Sequence, residues 1–220
     1  MKSINKDGSV NKFSQIREKQ KALILKNAFN LFLTRPFSEI TMQDVANKAK
    51  ISRPTLYKYF DNIDQIILTL EESIMKQLLE DTGKQVSIQP KNGKEVVLNF
   101  ARTNFEQAQR KGEEFYFISL FDNYNHSRSG DDSMNEKYRD VFNSDSLFAH
   151  LIQNGQADGS IRKELDPHRT LFMILNTVTA LNLRFATIGN KGLPKDNSLT
   201  VKDIEDEFLA MVDSYLTPRA

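Results

Sequence analysis

Residues 51–60 read ISRPTLYKYF. Ten residues hold three aromatics, two cations and a proline, a mixture that neither a buried helix nor a plain surface helix calls for. Ser52 reads as an N-cap. Ile51, just outside the helix, and Leu56, its fourth residue, then suit a hydrophobic staple. Pro54 falls in the first turn, where its missing N–H costs nothing. At about 100° per residue, Leu56 and Phe60 point inward together. Pro54 and Lys58 point the other way with Thr55 beside them, and Tyr57 and Tyr59 lie on the flanks. The stretch predicts a helix that buries one edge and presents a basic front with a phenol on each side.

The flanking sequence supplies the frame. From Ser14, Ile16, Leu23, Ile24, Ala28, Leu31 and Phe32 recur at helical spacing until Pro36 ends the helix. Thr41 caps a helix of about two turns, with Asp44 in the capping-box position and Met42, Val45, Ala46 and Ala49 on its apolar side. Lys50 and Ile51 make the turn into the quoted stretch. Asp61 and Asn62 then offer a cap for a long amphipathic helix through Ile63, Ile66, Ile67, Leu70, Ile74 and Leu78. Further helical segments are predicted over 96–109, 113–125, 131–154, 167–188 and 201–216, each bounded by Gly, Pro, Asn, Asp or Ser. No run alternates as a strand would, so the fold class is all-α: a three-helix head, a long connecting helix and a helical body. The expected domains are a flexible basic tail (1–13), a helix-turn-helix head (14–62) and a body (63–220).

Charge divides the same way. Residues 1–66 hold twelve Lys/Arg against six Asp/Glu, a balance of +6, and residues 67–220 hold eighteen against twenty-three, a balance of −5. A basic head on an acidic body suits a head that binds a polyanion. Two helices joined by a turn of about four residues form a helix-turn-helix whose second helix reads the major groove, while hydroxyls and helix starts hold phosphates. Arg53, Thr55 and Lys58 are the expected base-edge or groove contacts. Thr41, Ser52, Tyr57 and Tyr59 are the expected phosphate contacts, and Gln43 joins the DNA-binding set. Tyr59 equally suits packing against the following helix.

The run from Phe37 to Glu72, FSEITMQDVANKAKISRPTLYKYFDNIDQIILTLEE, resembles the DNA-binding region of tetracycline-repressor-type (TetR family) regulators. The resemblance rests on Thr41, Val45-Ala46, Ala49, Ile51-Ser52 and Thr55-Leu56-Tyr57-x-Tyr59-Phe60, and covers about residues 15–75. It implies a homodimeric transcriptional repressor, released from an inverted-repeat operator in double-stranded DNA when a small-molecule effector binds the second domain. Two positions depart from the pattern. Lys50 stands where the family usually has glycine, so this turn must be strained or differently built. Ile63 stands where the family usually has a phosphate-touching lysine, a contact that Lys58 or the tail lysines Lys2, Lys6 and Lys12 would have to replace.

The body is rich in aromatics. The resemblance implies an effector cavity, for which Phe105, Phe117, Phe121, Tyr124 and Phe142 are candidates, although core packing is the commoner role for any single one of them. In the segment LFMILNTVTALNLRF (171–185), Asn176, Thr177, Thr179 and Asn182 interrupt an otherwise apolar helix, and buried amides need partners. Asn176 and Thr179 are assigned to the pocket, and these polar groups either face a ligand or pair across a dimer. The resemblance also implies that the last two long helices meet their mates in a four-helix bundle, with Leu171, Leu175, Val178, Phe185, Phe208 and Met211 as contacts.

Several functions are not expected. The sequence has no cysteine, which excludes disulfides and thiolate metal sites. His126, His150 and His168 lack i, i+4 pairing, so no metal or cofactor is expected. No phosphate loop or nucleophile elbow is present, which disfavours an all-α enzyme. A helical protein-interaction module without DNA binding stays open on the residues alone. The N-terminus lacks a signal-peptide core and no membrane-length apolar run is expected, so the reading is cytoplasmic.

Overall fold

Thr41 accepts the Asp44 N–H on its hydroxyl while the Asp44 carboxylate takes the Thr41 N–H, and this reciprocal capping box starts a helix over Met42–Lys48. Ser52 caps the next helix through the Thr55 N–H, with a proline in the first turn. Asn62 accepts the Gln65 N–H at 2.8 Å where the long helix begins. Asp166 and Thr200 cap two later helices, the second with a full capping box to Asp203. In the computed structural model, which describes residues 7–86, 90–127, 149–193 and 199–219, every regular element is helical. These are α1 (Asp7–Phe32), α2 (Met42–Lys48), α3 (Arg53–Leu56), α4 (Ile63–Val86), α5 (Gly93–Arg110), α6 (Gly112–Ser127), α7 (Ala149–Ala157), α8 (Pro167–Ile188) and α9 (Val201–Leu216). Single 3-10 turns lie at Phe37–Glu39 and Gly189–Gly192.

Two expectations about the head change. Helix α1 begins at Asp7, so residues 7–13 continue it instead of joining a loose tail. Its buried stripe is Ile24, Ala28 and Phe32, each 0% exposed, whereas Ile16 and Leu23 are exposed. Leu23 and Ile24 are neighbours 100° apart, and only one of them can face inward.

The chain divides into two compact units, Met1–Ser73 and Ile74–Ala220. In the first, Phe37, Ile40, Val45, Ala46, Leu56, Phe60, Ile66 and Ile67 are buried along with the α1 stripe. The Phe32 and Phe37 rings pack tilted, with centroids 4.7 Å apart.

In the second unit, Val97, Ala101 and Phe105 of α5 share a core with Ile152 of α7, Leu171, Ile174 and Val178 of α8, and Leu209, Val212 and Leu216 of α9. Helix α5 starts hard against α7: a Cβ on Gly93 would lie 2.3 Å from the Gly155 nitrogen. The first N–H groups of α5 are satisfied there, Gly93 donating to Asp158 at 2.6 Å and Lys94 to Ser160 at 3.0 Å. By length and composition α8 is apolar enough to cross a bilayer, with a mean hydropathy of 1.4, contrary to expectation. Its buried residues Thr170, Leu171, Ile174, Val178 and Asn182 nevertheless form a one-sided stripe, as in a core helix.

Glu205 of α9 is 2% exposed, and Gln109 of α5 donates to its carboxylate at 2.6 Å. Burial pushes this carboxyl above its ordinary 4.5. The folded chain therefore holds the Glu205 proton more tightly than the unfolded chain. Its contribution to stability is largest below 4.5 and falls as pH rises through the folded value. Glu205→Gln is expected to raise the thermal midpoint at pH 7, with the gain over the parent vanishing towards pH 4. Paired melts of the two proteins across that range check this, and a lower midpoint for the variant at pH 7 would contradict it.

Candidate nucleic-acid interface

Helices α2 and α3 belong to one compact unit, and the turn between them is short. Ala49 closes α2, its N–H reaching the Val45 carbonyl at 2.9 Å, and the Ile51 N–H reaches back to the Ala46 carbonyl at 3.0 Å. Lys50 lies between them with φ of 55°, the left-handed conformation that the departure from glycine required. α-Helical bonding in the quoted stretch spans only Arg53–Leu56, and the chain continues as a tighter turn. The Lys58 and Tyr59 N–H groups bond to Thr55 and Leu56 three residues back, at 3.2 and 2.9 Å. Leu56 (0%) and Phe60 (1%) fill the core beneath, so the opposite side faces out.

That outer side holds Arg53, Pro54, Tyr57 and Lys58, all exposed, with Tyr57 at 42%. An Arg53 Nη donates to the Tyr57 hydroxyl at 3.1 Å, and the guanidinium lies 5.5 Å from that ring's centre. This i, i+4 pair holds a planar five-donor group at the front of the helix. Tyr59 and Thr55 are half-buried, and Thr55 shares a 2.8 Å hydrogen bond between hydroxyls with Ser52. Gln43 is exposed and donates to Asn47 at 2.8 Å. Thr41 is placed differently from a free phosphate donor: its hydroxyl and its N–H both donate to the Asp44 carboxylate, at 2.6 and 2.9 Å. Those bonds, the hydroxyl's first, hold the Asp44 carboxyl below its ordinary range, and Arg35 at 3.4 Å adds to the effect. Asp44 is the lone acidic residue between Thr41 and Phe60, and it is fully occupied. Lys48, Lys50 and Lys58 have no ion-pair partner among the described residues.

Residues 24–70, which carry this geometry, match the family described as bacterial regulatory proteins, tetR family. The HTH-type transcriptional regulator EthR of Mycolicibacterium smegmatis is 29% identical over 115 residues, 52% of this chain and 48% of that protein. The chain thus spans about half the length of that curated relative. Over these residues the head is similar to the tetR family. In fold the likeness extends further. The MbdR regulator from Azoarcus sp. CIB has a TM-score of 0.67 at 18% identity, over 90% of this chain and all of that one. AibR in complex with isovaleryl coenzyme A and operator DNA has a TM-score of 0.61 at 20% identity, over 87% and 97%.

Outside the head, the described residues expected for an effector divide between the core and the surface. Phe105, Phe117 and Phe121 are core side chains at 2%, 0% and 1% exposure, Tyr124 is half-buried, and Phe142 lies outside the described residues. Asn176 and Thr179 are on the exposed side of α8, where the Asn176 amide donates to the Phe172 carbonyl within the helix. They do not interrupt a buried face, as the sequence reading had them. Asn182 does: it is 2% exposed and donates to the Asn104 carbonyl of α5 at 3.3 Å. An open groove along the end of α9 includes Arg162, Met211 and Tyr215 and none of the expected effector residues.

The proposed dimer contacts also separate. Leu171 and Val178 face the core, Leu175 and Phe185 are half-buried, and Phe208 packs edge-on against Phe105 at 5.8 Å. Met211 is 63% exposed, and it shares that exposure with three residues the sequence reading passed over: Phe172 (57%), Met173 (63%) and Tyr215 (48%). Position i+4 from Met211 and the uninterrupted apolar run at 171–174 are the signals that mark them.

Proposed function

We propose that this chain is a sequence-specific DNA-binding transcriptional repressor, a homodimer released from an inverted-repeat operator by a small-molecule effector. One observation carries the reading: an exposed front of Arg53, Tyr57 and Lys58 stands over a buried Leu56–Phe60 edge, in a segment whose single carboxylate is already occupied. Arg53 is the proposed base reader, since a guanidinium fits the acceptor edge of guanine. Lys58, Tyr57 and Ser52 are proposed to hold phosphates, with Gln43, Thr55 and Tyr59 at the margin. Thr41 acts chiefly as the cap that fixes α2. Residues 14–62 serve as the reading head and 63–220 as the effector and dimer body. The fold shared with AibR, a protein solved with both a coenzyme A thioester and operator DNA, supports that division. The chain works in the cytoplasm and catalyses no reaction.

The test is fluorescence anisotropy with DNA from upstream of the coding region, at several salt concentrations, with random duplex as control. Salt-sensitive binding that random DNA does not match is expected. Arg53→Ala should cost about 1–3 kcal/mol on the operator and relax preference at one base position, whereas Lys58→Ala should weaken all duplexes alike and lower the salt slope by about 1. Equal weak binding to every duplex, unchanged by either substitution, would sink the reading.

A further inference from the structure

Lys50 holds a backbone conformation that an L-residue rarely adopts, and among the described residues it is the sole non-glycine with positive φ. The position is the usual place for glycine, because it closes a helix by sending the next N–H back to a carbonyl in the last turn. A lysine in this conformation strains the turn, and no side-chain contact of Lys50 among the described residues offsets that strain. The side chain is exposed, with no ion-pair or hydrogen-bond partner among the described residues. A left-handed turn would be equally closed by glycine or asparagine. Strain of this kind collects where a side chain is needed for function.

The surroundings give the side chain something to do. Lys50 lies two residues before the N-cap Ser52, at most about 7 Å along the chain. Lys48 precedes it, Arg53 and Lys58 follow, and the carboxylate of Asp44 is taken up by Thr41 and Arg35. The long helix α4, by contrast, begins with the uncharged Ile63. We propose that Lys50 is a further phosphate-contacting residue of this interface, held in a strained turn because its ammonium meets the duplex backbone beside the reading helix. The inference rests on the DNA-binding reading above and adds to it a further cation in the turn before the reading helix.

The experiment compares the parent with Lys50→Gly, Lys50→Asn and Lys50→Arg, each measured for denaturation midpoint and for anisotropy on operator and random duplex over a salt series. Lys50→Gly is expected to raise the midpoint while weakening both duplexes by the same roughly three- to tenfold and reducing the salt slope by about 1. Lys50→Asn, which tolerates positive φ without the charge, should follow glycine, and Lys50→Arg should keep the parent's slope. A Lys50→Gly protein that is more stable and binds DNA with the parent's affinity and slope would overturn the proposal. So would weaker binding accompanied by a lowered midpoint, which would make Lys50 a requirement of folding. A parent that binds no duplex in a salt-dependent way would sink the DNA reading itself, and Lys50's role with it.

Discussion

Phe32→Ala is expected to remove about 3–5 kcal/mol from the stability of the head. The ring is fully buried, packed tilted against Phe37 with centroids 4.7 Å apart, and is the last member of the α1 stripe with Ile24 and Ala28. The loss combines the transfer of a large apolar surface to water with a cavity that its neighbours fill only in part. A unit of some 70 residues has little surplus stability, because a domain that small buries only about 60% of the surface its unfolded chain exposes. Losing Phe32 should therefore leave the head largely unfolded near 37 °C. Helix α2 and the reading segment would lose their support, since Val45, Ala46 and Leu56 lie in the same buried set. Urea titration followed by far-ultraviolet circular dichroism, with limited proteolysis to locate the opening, checks this. A parent-like midpoint, within about 1 kcal/mol, would mean that the α1 stripe is not the keystone of the head.

The same residues show what a sequence can say about this fold. Caps were legible because they are local. Thr41 with Asp44, Ser52 before Pro54, and Asn62 before Ile63 each declare a helix start within four residues, and the structure forms all three. The strained turn was legible as well, since Lys50 at a helix end leaves few conformations open. The start of α1 was not. The segment DGSVNKF has glycine and polar residues and no apolar period, so a rule that looks for a buried stripe is silent there.

Choosing between faces was the harder problem. In Leu171-Phe172-Met173-Ile174 every side of the helix carries an apolar residue, so periodicity cannot say which side meets the core. Packing decides it: Leu171, Ile174 and Val178 turn inward, and Phe172 and Met173 turn out. That choice moved Leu171 and Val178 out of the expected dimer contacts and moved Asn176 and Thr179 to the exposed side. In the reading segment the inward residues were legible because Leu56 and Phe60 are four apart, with charged or polar groups around them. The direction of Arg53 towards Tyr57 is a side-chain choice made after the helix forms, and only the structure reports it.

Phe172→Asp is expected to convert the proposed dimer into monomers at micromolar concentration and to abolish tight operator binding. Large apolar side chains exposed to this degree, Phe172 and Met173 on α8 with Met211 and Tyr215 on α9, usually mark a surface that a partner covers. Burying one such side chain is worth roughly 1.5–3 kcal/mol. In a two-fold dimer each substitution acts twice, so losing Phe172 costs roughly 3–6 kcal/mol of association before the added carboxylates are counted. That is on the order of a hundred- to ten-thousandfold in dissociation constant. Two uncompensated carboxylates within the proposed interface push the balance further. Met211→Asp should act in the same direction. Leu171→Asp should instead unfold the body, because Leu171 is 5% exposed and lies in the core. Analytical ultracentrifugation separates the outcomes: a folded monomer for the first two, with helical circular dichroism retained, and a collapse of helix content for the third. Monomers should also lose the second half-site, so their operator affinity falls towards that for random duplex. A Phe172→Asp protein that sediments as the parent does would move the interface off α8, and the exposed ring would then need another partner.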